Sequence, residues 1–155
     1  MEDLFFSDAL KRKLEQVKTR ALSVLEAPAG YGKTTAIRTI LQDSETPVYW
    51  YTAVESMLDN SFRWFIRQVG TVDETAAQRL QDLGYLNRSN AEQAAQIISE
   101  MRPTAPLTLV FDNFQFALNN WQPQALDALA KCVDTGLCTV FISQNFGKNF
   151  LQALF

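Results

Sequence analysis

The stretch Ala21-Leu22-Ser23-Val24-Leu25-Glu26-Ala27-Pro28-Ala29-Gly30-Tyr31-Gly32-Lys33-Thr34-Thr35 decides the fold. Its first six residues are short, apolar and partly β-branched, which reads as a buried strand. The chain then enters a Pro-Ala-Gly turn, and Thr34 to Gln42 has helical character. A strand that passes through a turn into a helix leaves the helix's unpaired N-terminal amides beside that turn. Gly30 and Gly32 permit backbone conformations that a side chain would block, so successive N–H groups can point inward around an oxyanion.

From Ala27 onward the run has the spacing of the Walker A phosphate loop, with Ala27 at the first glycine position, four intervening residues, then Gly32, Lys33 and Thr34. An ordinary glycine turn between strand and helix needs neither lysine nor threonine at these offsets. The expected ligand is ATP or ADP with Mg2+. Pro28, Ala29, Gly30, Tyr31 and Gly32 form the cage, and the positive end of the helix dipole adds attraction for the β-phosphate. Lys33 bridges the β- and γ-phosphates as a point charge, the Thr34 hydroxyl ligates magnesium, and Thr35 reaches the α-phosphate. Tyr31 either shields the loop from solvent or packs against a neighbouring module.

A second element is expected at Leu107 to Phe111, an apolar strand that ends at Asp112. The C-terminal ends of strands are where open parallel sheets place ligand groups. Asp112 therefore fits the Walker B acid, holding magnesium mostly through water opposite Thr34; the simpler reading is a loop cap. Asn113 stands where related ATPases often carry a second acid that polarises the attacking water. An amide can orient water but cannot take its proton, so hydrolysis is expected to be slow. Ser143, Gln144 and Asn145 read either as γ-phosphate sensors or as ordinary loop polars. Glu55 and Asp59 follow the second strand and read as solvated acids, with water orientation as the alternative.

Working outward, Ser7, Leu10, Leu14 and Val17 suggest an entry helix within residues 1–20. Pro47 to Thr52 reads as a second strand, and Asn60 or Ser61 caps a helix that buries Phe62, Phe65, Ile66 and Val69. Asp73 to Leu83 and Ser89 to Met101 are expected helices separated by Gly84, the second capped at Ser89 or Asn90. Gln122 to Val133 is a helix behind Pro123, and Cys138 to Ile142 is a fourth strand. Strands alternating with helices predict an α/β fold: a P-loop NTPase three-layer sandwich with a mainly parallel sheet of about four strands, in one domain over residues 1–155. Phe111, Phe114, Phe116, Trp50, Trp64 and Trp121 are expected in the core or in contacts between domains.

Composition narrows the function classes. The chain has 155 residues and a formal net charge of −3, from 14 Lys plus Arg against 17 Asp plus Glu, so no global field draws it to nucleic acid. Lys11, Arg12, Lys13, Lys18 and Arg20 read as the solvated side of the entry helix. Cys132 and Cys138 read as buried thiols, and with no histidine there is no zinc signature. No apolar run reaches the roughly 20 residues of a membrane span. The expectation is a cytoplasmic protein.

The run from Ala21 through Arg38 resembles the nucleotide-binding domain of the LuxR-type, MalT-like transcription regulators, which are STAND ATPases related to AAA+ proteins. Val48-Tyr49-Trp50-Tyr51 is similar to that family's second strand, and Asp59-Asn60 with Phe62 and Phe65 to its Asp-Asn-Asp-Pro-x-x-Phe region. Leu109-Val110-Phe111-Asp112-Asn113-Phe114 is similar to its Walker B, and Val140-Phe141-Ile142-Ser143 to its fourth strand. Asn113 departs from the family's second acid, and Gln144 stands where it usually has arginine. The resemblance implies a signal-responsive switch between ADP-held closed and ATP-opened states, with self-association on opening. It implies other domains in a full-length regulator, contact with DNA only through a region absent from this chain, and truncation before a fifth strand beside the phosphate-loop strand. That edge is then expected to be covered by the entry helix, by the C-terminal tail or by a second copy. Two other readings remain open, a catalytically inactive nucleotide-binding interaction module and a small-molecule kinase.

Overall fold

The computed structural model describes residues 15–26, 33–54, 60–117, 121–132 and 134–143. The apolar runs are strands: β1 (Leu22–Glu26), β2 (Val48–Thr52), β3 (Leu107–Asp112) and β4 (Leu137–Ser143). Between them lie α1 (Lys33–Leu41), α2 (Ser61–Val69), α3 (Glu74–Leu83), α4 (Ala91–Ser99) and α5 (Pro123–Ala130). The sheet runs β1-β4-β3-β2 with every pairing parallel, so strand order does not follow the chain. All four strands therefore end on one edge, where Glu26 lies level with Ser143 and Thr52 with Asp112. This is the predicted α/β three-layer sandwich.

Side-chain alternation divides the core. Leu107, Leu109, Phe111 and Phe141 face α2 to α5 in the larger cluster, while Val110, Val140 and Ile142 face Ala36, Ile37 and Ile40 of α1. Asp112 has the parity of Val110, so the fold aims its carboxylate at the α1 side. Gly136 turns the chain into β4 at φ +90, and a Cβ there would sit 3.2 Å from Pro106 Cα, so only glycine fits without strain.

Several expectations need correction. In place of an entry α-helix reaching residue 20, Gln16–Lys18 is a 3-10 turn whose Val17 is buried against α1; residues 1–14 lie outside the described set. Asn60 and Asn90 hold the N-cap positions, yet neither side chain caps its helix. Asn90 instead accepts from Asn87 N–H and donates to the Leu83 and Tyr85 carbonyls, tying down the loop before α4. Asp73 does cap α3, accepting from Ala76 N–H. The helix after Pro123 stops at Ala130, three residues early, and Cys132 N–H turns back to Leu129 O. Cys138 is only half-buried, on the α1 face of β4 with its thiol against the Lys18 carbonyl. Of its two expected places Phe116 does not take the core: it is exposed.

Among the described residues β1 and β2 are the sheet edges. The expected cover for β1, from the entry helix or the C-terminal tail, falls on residues 1–14 and 144–155 and so lies outside the described residues.

Candidate functional site

The sheet edge where the strands end is also where α1 begins. Lys33 is its first residue, so the helix's unpaired amides and positive dipole end open over that edge. Thr34, half-buried, donates its hydroxyl to Asp112 Oδ2 at 2.9 Å. This contact spans β4, because β1 and β3 are not neighbours but stand two strand spacings apart, about 9.5 Å. It brings together the two residues that sequence reasoning paired as magnesium ligands.

Asp112 is held from both sides. Its neighbours Phe111 and Phe114 are fully buried, with ring centroids 5.2 Å and 4.0 Å from Phe141. Its backbone carbonyl accepts from Ala53 N–H at 3.0 Å. Its second carboxylate oxygen, Oδ1, accepts from Asn113 N–H at 2.8 Å. Asn113 itself takes the left-handed conformation, at φ 54 and ψ 40, a region that asparagine tolerates better than most side chains.

Thr34 and Asp112 present hard oxygen donors, the chemistry Mg2+ prefers. Their donor chemistry fits the ion, and Thr34 and Asp112 are the residues that would hold it. Thr52, which sequence reading took only as the end of a strand, shares the register and face of Asp112 and adds an exposed hydroxyl to the same edge. No local signal marks it; the parallel register alone brings it there.

The remaining predicted positions divide in two. Thr35 is in the first turn of α1, half-buried, and its carbonyl accepts from Thr39 Oγ1. Ser143 ends β4 buried, level with Glu26. Residues 27–32, including Pro28, Ala29, Gly30, Tyr31 and Gly32, lie outside the described residues, as do the Lys33 side chain, Glu55, Asp59, Gln144 and Asn145. Among the described residues no helix is long and apolar enough to cross a membrane.

Fold and motif together define a P-loop NTPase domain, a nucleotide-binding class. Residues 15–147 match the AAA domain family, and the chain belongs to it. The fold is similar to that of a Signal Transduction ATPase with Numerous Domains (STAND) protein with a tetratricopeptide repeat sensor from Pyrococcus horikoshii. That match has a TM-score of 0.53 at 17% identity and covers 94% of this chain and 22% of the other. It is also similar to a Walker-type ATPase of Pyrococcus abyssi, with a TM-score of 0.52 at 16% identity, covering 99% of this chain and 48% of the other. The likeness at these identities is one of fold. No curated protein matches the chain in sequence.

Proposed function

We propose that the chain is the ATP/ADP-binding switch domain of a larger signal-responsive regulator of the LuxR type, with slow or no hydrolysis of its own. The observation that carries the nucleotide part is the 2.9 Å contact between Thr34 and Asp112 at the N-terminus of α1. In this reading Pro28 shapes the loop, residues 29–32 wrap the phosphates with backbone amides, and Lys33 adds a cation. Thr34 and Asp112 hold Mg2+, which when bound neutralises phosphate charge. Thr35 lies one residue further along the same helix, toward the α-phosphate. Asn113 supplies an amide where a proton acceptor would speed attack by water. The regulatory part is supported by the resemblance of the Ala21 to Arg38 run, and by the embedding of similar folds in much longer chains. Partner domains, self-association on ATP binding and a cytoplasmic setting belong to the same proposal.

A second reading, a nucleotide-binding interaction module without catalysis, is favoured by one observation. The residue after Asp112 is an amide in a left-handed turn, its N–H committed to the Asp112 carboxylate. Calorimetric titration of the purified chain with ATP and ADP, with and without Mg2+, together with phosphate release and the association state in each nucleotide, separates the two. Saturable binding of both nucleotides, with slow or no turnover and self-association in ATP but not in ADP, supports the switch; binding with no turnover and no nucleotide-dependent change in association supports the module. Absence of saturable binding, with Lys33→Ala and wild type indistinguishable, overturns both.

A further inference from the structure

The outer seam between α2 and α3, away from the candidate nucleotide site, holds a groove of about 720 Å³. The two helices form an antiparallel hairpin whose closed end is tight: a Cβ on Gly70 would lie 3.4 Å from Ala77 Cβ. From there the lining runs to Phe62 on the α2 side and to Gly84, Tyr85 and Leu86 beyond α3. Phe62 and Ile66, one turn apart on α2, give it an apolar floor. Tyr85 stands over the open end with 67% of its surface exposed, a large apolar ring with no core to fill.

The rim carries the decisive chemistry. Arg63 and Arg67 are exposed and lie one helical turn apart beside Phe62 and Ile66. Among the described residues neither forms an ion pair or a hydrogen bond, and no carboxylate lines the groove. By contrast Arg79, on the same hairpin, is already paired with Glu100 at 2.8 Å. Two free guanidiniums at a four-residue spacing match two carboxylates at the same spacing on a facing helix.

We propose that this groove docks an acidic amphipathic α-helix of a partner protein. The α2 wall from Phe62 to Gly70 rises about 12 Å, a little over two turns of an incoming helix. Apolar side chains at i, i+3 or i+4 and i+7 enter over Phe62 and Ile66, and Tyr85 closes on them. Carboxylates on the flank meet Arg63 and Arg67. With a formal net charge of −3 the chain as a whole does not attract acidic partners, so selectivity resides in these two side chains.

The test uses the full chain and a fluorescein-labelled synthetic helical peptide with Leu and Glu along one face at three- and four-residue spacing. A matched peptide with Lys in place of Glu is the control. Anisotropy is expected to show saturable binding of the Glu peptide only, weakened by added salt. Arg63→Glu with Arg67→Glu should weaken it at least about ten-fold, and Tyr85→Ala should weaken it as well, with the urea midpoint of each variant unchanged. All three residues are exposed, so folding is preserved. The proposal fails if the Glu peptide does not bind, if both peptides bind equally, or if the arginine substitutions leave binding intact. It also fails if the chain alone sediments as a dimer that the same substitutions dissociate, because a second copy is then the occupant.

Discussion

The Trp121 indole Nε1 donates to Ser61 Oγ at 2.7 Å, and both residues are buried. The bond ties the first residue of α2 to the segment that follows the Asp112 turn. Around it, the Trp121 ring lies 5.1 Å from Phe62, 5.4 Å from Phe111 and 5.5 Å from Phe65, measured between centroids. Ser61→Ala removes the acceptor and leaves a buried indole N–H unsatisfied. Destabilisation of about 1–3 kcal/mol is expected in urea unfolding. Trp121→Phe at the same site loses both the hydrogen bond and part of the ring contact, so its loss should be larger.

The strands and most helices were legible in the sequence, and the strand order was not. Apolar runs such as Leu107 to Phe111 are too short for buried helices and rich enough in branched and aromatic residues to read as strands. The placing of β4 between β1 and β3 is decided by tertiary packing, and no local pattern encodes it. Thr34 and Asp112 could be paired in advance because a motif fixes the first and a strand end the second. Nothing in the sequence singles out Arg63 and Arg67; only the fold of the hairpin sets them beside one groove. Asn90 misleads for a related reason, since its amide finds three backbone partners in the preceding loop and leaves the helix cap unmade.

Thr139 is fully buried on β4, level with Leu22 and Leu109, and among the described residues its hydroxyl has no hydrogen-bond partner. A buried hydroxyl without a partner carries an uncompensated desolvation cost. Thr139→Val replaces it with a methyl of nearly the same shape, so the chain should gain about 1 kcal/mol in urea unfolding. A loss of stability would show that the hydroxyl is satisfied after all.

The left-handed turn at Asn113 separates backbone from chemistry. Asn113→Gly removes the strain of a side chain at φ 54 and should leave stability within about 1 kcal/mol of wild type, whereas Asn113→Val should cost about 1–2 kcal/mol. Asn113→Asp keeps a residue that tolerates this turn and adds a proton acceptor. Under the switch reading, phosphate release should rise at least about ten-fold with ATP affinity little changed. An unchanged rate would count against water activation at this position.

Burial pushes the Cys132 thiol up from 9.0 to about 11. The folded chain therefore holds this proton more tightly than the unfolded chain does. The associated stability is fully present below pH 9 and is lost as pH rises toward 11. Urea midpoints should fall across that window, and Cys132→Ala should flatten the fall while lowering stability throughout. The half-buried Cys138, also raised by burial, should alkylate faster than Cys132 in the folded chain.

The Thr34–Asp112 contact permits a test of whether the two residues act through one ion. If both serve the same magnesium, Thr34→Val and Asp112→Asn should each weaken ATP binding about ten-fold or more with Mg2+ present. Neither should matter much in EDTA, where the phosphates meet only the loop amides and Lys33. The double variant should then lose little more than the worse single one, because one lost ion cannot be lost twice. Purely structural roles predict the opposite pattern, in which affinity falls equally with and without the metal. In that case both variants should also unfold at lower urea, since the 2.9 Å hydrogen bond would be the whole of what was removed. Calorimetry in the two buffers, paired with unfolding curves for all four proteins, decides between them.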